Sequence, residues 1–255
     1  MNNHRGNQPE SSEKLSPDQL SPVWVVVPAA GIGARIAGDR PKQYMPLGGK
    51  TILQITLEKM LSLPRLAGVL VAVSKEDVYW PDQGFSENEG IHRVDGGAER
   101  ADSVLNALEY LQALGVHPDH WILVHDAARP CVRLDMITRL RQQIEQGNSG
   151  GGILAKPVAD TVKRVEEGTI QSTLDRSSLW QAHTPQMFRL RELRQALLNA
   201  REHGFPVTDE ASAMERQGAR PQVVEDRRDN IKVTHPEDLP LAEMILRQQA
   251  EEQKQ

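Results

Sequence analysis

Cysteine is nearly missing from this chain of 255 residues, which carries one, Cys131. A single thiol makes neither an intrachain disulfide nor a cysteine-rich zinc site, which argues against redox chemistry and fits a reducing cytosol. No apolar run approaches the roughly 20 residues that span a bilayer, and the first residues lack the apolar core of a secretory signal. The reading is therefore of an unexported, cytoplasmic protein. A basic excess is also absent, since 30 Lys+Arg stand against 35 Asp+Glu and leave a formal net charge of −5. Without a block of Lys and Arg to displace counterions, nucleic acid is disfavoured as the main partner. The length suits one large domain or two small ones, and 38% hydrophobic residues, glycine not counted, suffice for a core.

Residues 1–22 hold only Met1, Leu15 and Leu20 as large apolar groups and are expected to form a disordered N-terminal tail. Glu10, Glu13 and Asp18 fit poorly with an organelle transit peptide, which is normally acid-poor, so a bacterial cytosol is the simpler home. From Val23 onward, apolar runs of strand length (23–27, 68–73, 121–125 and 152–155) alternate with stretches of helical periodicity. Ile52, Ile55 and Met60 form one such series, Val104, Leu105, Leu108, Leu111 and Leu114 a second, and Leu134, Ile137, Leu140 and Ile144 a third. Strands buried on both faces and separated by helices predict an α/β fold, a Rossmann-like and mostly parallel sheet covered by helices. In such folds ligands bind at the carboxyl ends of the strands. The expected division is a single domain over 23–246 and a C-terminal tail over 247–255. One segment breaks the alternation. Pro157 to Arg164, the turn Glu166-Glu167-Gly168 and Thr169 to Leu174 read as a β-hairpin, within an arm of about 156–178. An isolated hairpin is marginal alone, so this one is read as a protruding dimerisation arm.

Three motifs fail on context. Gly48-Gly49-Lys50-Thr51 ends like a P-loop but has Tyr44 where the first glycine belongs. Gly147-Asn148-Ser149-Gly150-Gly151 matches a nucleophile elbow, yet a helix precedes it and a strand follows, the reverse of what an elbow needs. The run from Gly31 to Ile36 begins like a dinucleotide fingerprint and carries Ile36 in place of its third glycine.

The loop after the first strand, Pro28-Ala29-Ala30-Gly31-Ile32-Gly33-Ala34-Arg35, followed by Arg40-Pro41-Lys42-Gln43-Tyr44, combines small residues with cations. Small residues let backbone N–H groups approach an anion, and Arg35 and Lys42 could both reach one polyphosphate. The alternative is a pair of solvated surface cations. The third run ends in His125-Asp126-Ala127-Ala128-Arg129-Pro130, placing Asp126 at the end of a central strand. One carboxylate facing a triphosphate suffices for Mg²⁺, although Asp126 could equally cap the turn or pair with Arg129. His125 has no serine or cysteine nucleophile in a known arrangement and reads as structural.

These segments, together with DGGAERADSV (95–104), KPVADTVKR (156–164), DRSSLWQAHTPQ (175–186), TDEASAME (208–215) and DNIKVTHPEDL (229–239), closely resemble the 2-C-methyl-D-erythritol 4-phosphate cytidylyltransferase family of the non-mevalonate isoprenoid pathway. The resemblance covers about 23–246. It implies cytidylyl transfer from CTP to methylerythritol 4-phosphate with Mg²⁺ as cofactor. Arg35 and Lys42 match the pair that stabilises the transition state. Ala29, Ala30, Gly31 and Gly33 match the loop that holds CTP, Gly97 and Ser103 match positions near its cytosine and ribose, and Asp126 with Ala127 matches the site beside the Mg²⁺-triphosphate. Thr161, Arg176 and Lys232 match groups that position the methylerythritol phosphate. The first two come from the arm of a neighbouring subunit, which implies a homodimer. Thr184 and Thr208 look like further lining, and Asp229 is the candidate second metal carboxylate. Ala34 and Ala98 stand where some relatives carry Arg and Asp.

Spacing alone leaves simpler readings open. Thr161 and Arg176 suit exposed hairpin positions, Lys232 a solvated face of a strand around Ile231 to Val233, Ser103 a helix surface, and Thr184 and Thr208 turns or caps. Two other functions also stay open. One is a ribitol 5-phosphate cytidylyltransferase, whose relatives tend to have Gly-Gly in place of Ala29-Ala30. The other is a non-catalytic subunit that senses CTP.

Overall fold

A computed structural model of the protein describes residues 15–31, 40–85, 87–147 and 149–254. Along the chain run β1 (Val23–Pro28), β2 (Pro46–Leu47), β3 (Lys50–Thr51), α1 (Ile52–Leu61), β4 (Leu66–Val73), β5 (Ile91–Asp95), α2 (Arg100–Ala113) and β6 (Trp121–Val124). They continue with α3 (Leu134–Gln146), β7 (Gly151–Pro157), β8 (Val162–Glu166), β9 (Thr169–Leu174), β10 (Trp180–Arg189), α4 (Leu190–Glu202), α5 (Glu210–Arg216), β11 (Gln222–Glu225) and α6 (Asp238–Glu252).

Seven strands form one sheet in the order β11-β7-β10-β6-β1-β4-β5. Every pairing is parallel except the two made by β10. The period-two alternation of a strand sends consecutive valines of β1 to opposite cores. Val25 and Val27 pack with Leu53 and Leu57 of α1 and Ile137 and Leu140 of α3, while Val26 packs with Leu105 and Leu108 of α2 and Leu193 of α4. Each such leucine, fully removed from water, contributes about 1.5–3 kcal/mol. The chain leaves β1 toward β4 and β5, then returns to place β6 on the other side of β1. That reversal opens a crevice at the carboxyl ends of β1 and β6, where ligands bind in open α/β sheets.

The hairpin forms as β8 and β9, paired antiparallel, with Glu167 at φ 48° and Gly168 at φ 76° in its turn. Two left-handed residues in succession give the backbone twist that a tight hairpin needs. The GGKT stretch is likewise a turn, between β2 and β3, with Gly48 and Gly49 both at positive φ. Ser149 lies between α3 and β7, in a helix-to-strand connection.

Several boundaries differ from the sequence reading. Within the stretch read as a tail, Pro17–Gln19 forms a 3-10 turn and Leu20 is buried. The fully buried Arg141 of α3 donates to Ser21 O at 2.7 Å and Pro64 O at 2.6 Å, so this segment is held by a core side chain. At the other end the expected tail from residue 247 is helical to Glu252, and Gln249 is buried, donating to Cys131 O at 2.8 Å. No strand forms around Lys232. An irregular segment lies there, in which Val233 N donates to Ala128 O at 2.8 Å. The sequence pattern does not predict strand β10, because Pro185 and four polar side chains interrupt it. The structure places that proline at a break in the β10–β7 register between Ala182 and Gln186, where a missing N–H costs no ladder bond.

Candidate active site

The crevice is built by four segments that end at the carboxyl edge of the sheet. Ala29, Ala30 and Gly31 follow β1, Gly97 and Ser103 belong to the turn and first coils of α2, Asp126 and Ala127 follow β6, and Lys42 and Lys232 close its sides. Nine of the residues picked from sequence therefore share one cleft. Gln43 is buried and donates from Nε2 to Ala29 O at 2.6 Å, fixing the chain where it leaves β1. Arg35 and Gly33, also picked from sequence, lie outside the described residues.

Glycine is required at position 97 for steric reasons, since a Cβ there would stand 2.2 Å from Asp102 Cβ. At Gly31 a Cβ would meet nothing within 4 Å among the described residues, so packing alone does not demand that glycine. Ser103 is buried rather than on the helix surface, and its Oγ accepts from Gly97 N at 3.0 Å. It thus shapes the turn that faces the cleft.

Asp126 is the electrostatic centre. Its Oδ1 accepts from Arg100 Nε at 2.9 Å, its Oδ2 lies 2.8 Å from Lys232 Nζ, and Arg129 Nε stands 3.7 Å away. Burial by itself would raise its pKa, but Arg100 and Lys232 outweigh that and hold the carboxyl well below the usual carboxylate range. Arg100 is held in turn by Glu210, whose fully buried carboxylate takes both terminal nitrogens at 2.7 and 3.1 Å. The cleft is lined by Lys42, Arg100 and Lys232 against Glu99 and Asp126, an excess of one cation, with Arg129 beside Asp126 and Glu210 holding Arg100. The cleft is positive inside an acidic protein, which suits a polyanion.

The other predicted residues lie elsewhere. Thr184 is buried behind Asp126 rather than lining the cleft, and its Oγ1 accepts from Asp126 N at 3.0 Å and contacts His125 Nδ1 at 3.0 Å. Burial pushes the His125 imidazole down to about 4, so it is neutral near pH 7. Thr208 is exposed and precedes Asp209, which accepts from Ser212 N and caps α5. Asp229 pairs with Arg227 at 3.1 Å and Arg133 at 3.7 Å. Among the described residues no three His, Cys, Asp or Glu side chains gather as a metal cage. Thr161 and Arg176 are exposed at the base of the hairpin, where Arg176 Nη1 donates to Ala159 O, and neither lines the cleft of its own chain.

Sequence reasoning missed Arg100 and Glu210. Both lie inside segments that carried the family resemblance, but an Arg and a Glu at helix starts give no sign that one will bury the other's partner.

Known proteins share the sequence and fold of this chain. A sequence profile described as 2-C-methyl-D-erythritol 4-phosphate cytidylyltransferase (IspD) matches residues 23–248. The protein of that name from Pseudomonas fluorescens strain Pf-5 is 50% identical over 223 residues, 87% of this chain and 94% of its own. Its namesake from Vibrio atlanticus is 49% identical over 233 residues, 91% of this chain and 99% of its own. The crystal structure of the Francisella tularensis enzyme superposes with a TM-score of 0.78 at 40% identity, covering 88% of this chain and 99% of that one. The profile spans the whole sheet and every segment that builds the cleft, so the chain belongs to the 2-C-methyl-D-erythritol 4-phosphate cytidylyltransferase family.

Proposed function

We propose that the protein transfers the cytidylyl group of CTP to 2-C-methyl-D-erythritol 4-phosphate, giving 4-diphosphocytidyl-2-C-methyl-D-erythritol and pyrophosphate. The observation that carries this reading is the convergence of Lys42, Lys232 and Asp126 on one cleft at the ends of β1 and β6, in a chain of this family. An oxygen of the phosphate monoester forms a bond to the α-phosphorus of CTP, and the bond from that phosphorus to the bridging oxygen of the β-phosphate breaks. Both reactants are anions, so the site must offset their repulsion and stabilise charge on the transferring group. Lys42, with Arg35, takes that role at the α-phosphate. Lys232 positions the phosphate of the acceptor. Ala29, Ala30, Gly31 and Gly33 hold the triphosphate through backbone N–H groups, and Gly97 and Ser103 border the nucleoside. The acceptor phosphate is already ionised near pH 7, so no strong general base is needed.

Asp126 fits a metal only in part as a protein ligand, because it offers one carboxylate already facing Arg100 and Lys232. That donor set suits a Mg²⁺ ion that completes its shell with substrate phosphate oxygens. When bound there, Mg²⁺ would neutralise triphosphate charge and assist the departure of pyrophosphate.

The hairpin supports a homodimer. Val165 and Ile170, paired across β8 and β9, are 51% and 61% exposed, and a two-stranded ribbon with an apolar pair in water is marginal alone. In that dimer Thr161 and Arg176 would complete the acceptor site of the partner. No helix among the described residues is long and apolar enough to cross a membrane.

The deciding assay is pyrophosphate release from CTP with methylerythritol 4-phosphate or ribitol 5-phosphate as acceptor. Turnover with the first at much the higher kcat/KM is expected. Preference for ribitol 5-phosphate would overturn the acceptor assignment, and CTP binding without turnover on either would overturn the enzymatic one.

A further inference from the structure

Behind the ionic cluster lies a closed ring of hydrogen bonds that joins three separate segments. His125 Nε2 is 3.1 Å from Arg129 O, Arg129 Nη1 donates to Asn230 O at 2.8 Å, Asn230 Nδ2 donates to Thr184 O at 3.0 Å, and Thr184 Oγ1 is 3.0 Å from His125 Nδ1. His125, Thr184 and Asn230 are all buried, so water does not compete for these groups.

The directions of the bonds follow from chemistry. A carbonyl oxygen can only accept, so His125 must carry its proton on Nε2 and leave Nδ1 as an acceptor. Nδ1 then requires the Thr184 hydroxyl hydrogen. With that hydrogen committed, Thr184 Oγ1 presents a lone pair, and Asp126 N–H donates to it at 3.0 Å. The second amide hydrogen of Asn230 goes to Asp226 Oδ2 at 2.7 Å, which pins the remaining corner. One histidine tautomer therefore settles the orientation of the groups that fix the backbone of Asp126. Asn230 also stands two residues before Lys232, whose Nζ meets the Asp126 carboxylate.

We infer that His125 is a positioning residue which, through Thr184, sets the backbone of Asp126 and its spacing to Lys232. The inference rests on the proposed roles of Asp126 and Lys232, and it sets Thr184 directly behind the substrate-facing groups. Partners of this kind, when removed, lower metal-site affinity or activity by about 10–100-fold, and a rigid backing is how such geometry is kept.

The experiment begins with the intact wild-type protein. Nitrogen-15 spectra of labelled histidine at pH 7 should show His125 as the Nε2–H tautomer, and an Nδ1–H signal would overturn the inference. Thr184→Val keeps the side chain's shape and removes the hydroxyl. It is expected to cost about 10–100-fold in kcat/KM and to weaken CTP binding in the presence of Mg²⁺, measured by calorimetry without the acceptor. Thr184→Ser restores the hydroxyl and should return both quantities to within about threefold of wild type. Adding His125→Leu to Thr184→Val should cost little more than the worse single change, because either one opens the ring. Equal losses in the Ser and Val variants, or losses that multiply in the double variant, would overturn it. An inactive Asp126→Asn beside a fully active Thr184→Val overturns the inference alone. Full activity of Asp126→Asn overturns the reading of Asp126 and the inference with it.

Discussion

Arg100 and Glu210, one on the first turn of α2 and the other on the first turn of α5, form a two-pronged ion pair at 2.7 and 3.1 Å with the carboxylate wholly buried. The third guanidinium nitrogen, Nε, is thereby aimed at Asp126, 2.9 Å away. Two helices from distant stretches of the chain thus combine to present one charge to the cleft. The planar fork of arginine makes this possible, since a lysine in its place could not hold two partners in fixed directions.

Breaking that pair should destabilise the protein asymmetrically. Arg100→Leu strands a carboxylate that has no access to water and should cost about 3–5 kcal/mol of unfolding free energy. Glu210→Gln keeps the shape and one acceptor, and leaves an arginine that is 27% exposed, so its cost should be nearer 1–3 kcal/mol. Urea unfolding of the two variants checks the order. The reverse order would mean that Arg100 is not the partner on which the buried Glu210 side chain chiefly depends.

Lys42 lines the cleft, and in the proposed reaction it faces the transferring group. Lys42→Ala should lower kcat by about 10²–10³-fold, as removal of a transition-state contact does, with a milder loss of CTP affinity. Arg35→Ala should behave in the same way. Steady-state and single-turnover rates separate the two effects, and an unchanged kcat in both variants would remove them from the proposed mechanism.

How far the sequence could be read depended on whether a residue's neighbours were local. Strands β1, β4 and β6 and helices α1 to α3 were legible because burial on both faces, or on one stripe, writes itself into a run or a period. The hairpin was legible from its turn. Leu20 was not, since the Arg141 side chain that holds its neighbour Ser21 comes from α3. Asp229 has the residue type of a metal ligand, and its pairing with Arg133 and Arg227 is something that spacing does not encode. Thr184 was read as lining the site, and its place behind Asp126 depends on His125 and Asp126, which lie on another strand end.

The arm makes a prediction that activity alone can read. If Arg176 serves the cleft of the partner, a dimer of one Arg176→Ala subunit and one Lys42→Ala subunit has one intact site, although each variant alone is impaired. Mixing and re-equilibrating the two inactive proteins should therefore recover up to about a quarter of wild-type activity in a random mixture, by the symmetry of a twofold dimer. Absence of recovery, with subunit exchange confirmed by mass-tagged chains, would place the arm outside the active site.

Lys59 offers a test of stability against pH. Its ammonium lies beneath α6, donating to Val132 O and Gln249 Oε1 at 2.9 Å each, and burial pushes its pKa down from 10.5 to about 8, with Cys131 opposing that shift and Arg133 adding to it. Below about pH 8 both folded and unfolded chains carry the proton, and the folded state bears the full cost of burying the charge. Between about pH 8 and 10.5 the unfolded chain binds a proton that the folded chain has released, so this residue makes the unfolding free energy rise with pH. Lys59→Met lacks the titration, and the pH-independent loss of its two hydrogen bonds cancels when slopes are compared. The stability of the wild type relative to this variant should therefore climb by a few kcal/mol, at most about 3, from pH 7.5 to 10.5 in parallel urea titrations. A flat difference across that window would show that the Lys59 amine keeps its ordinary ionisation in the folded protein.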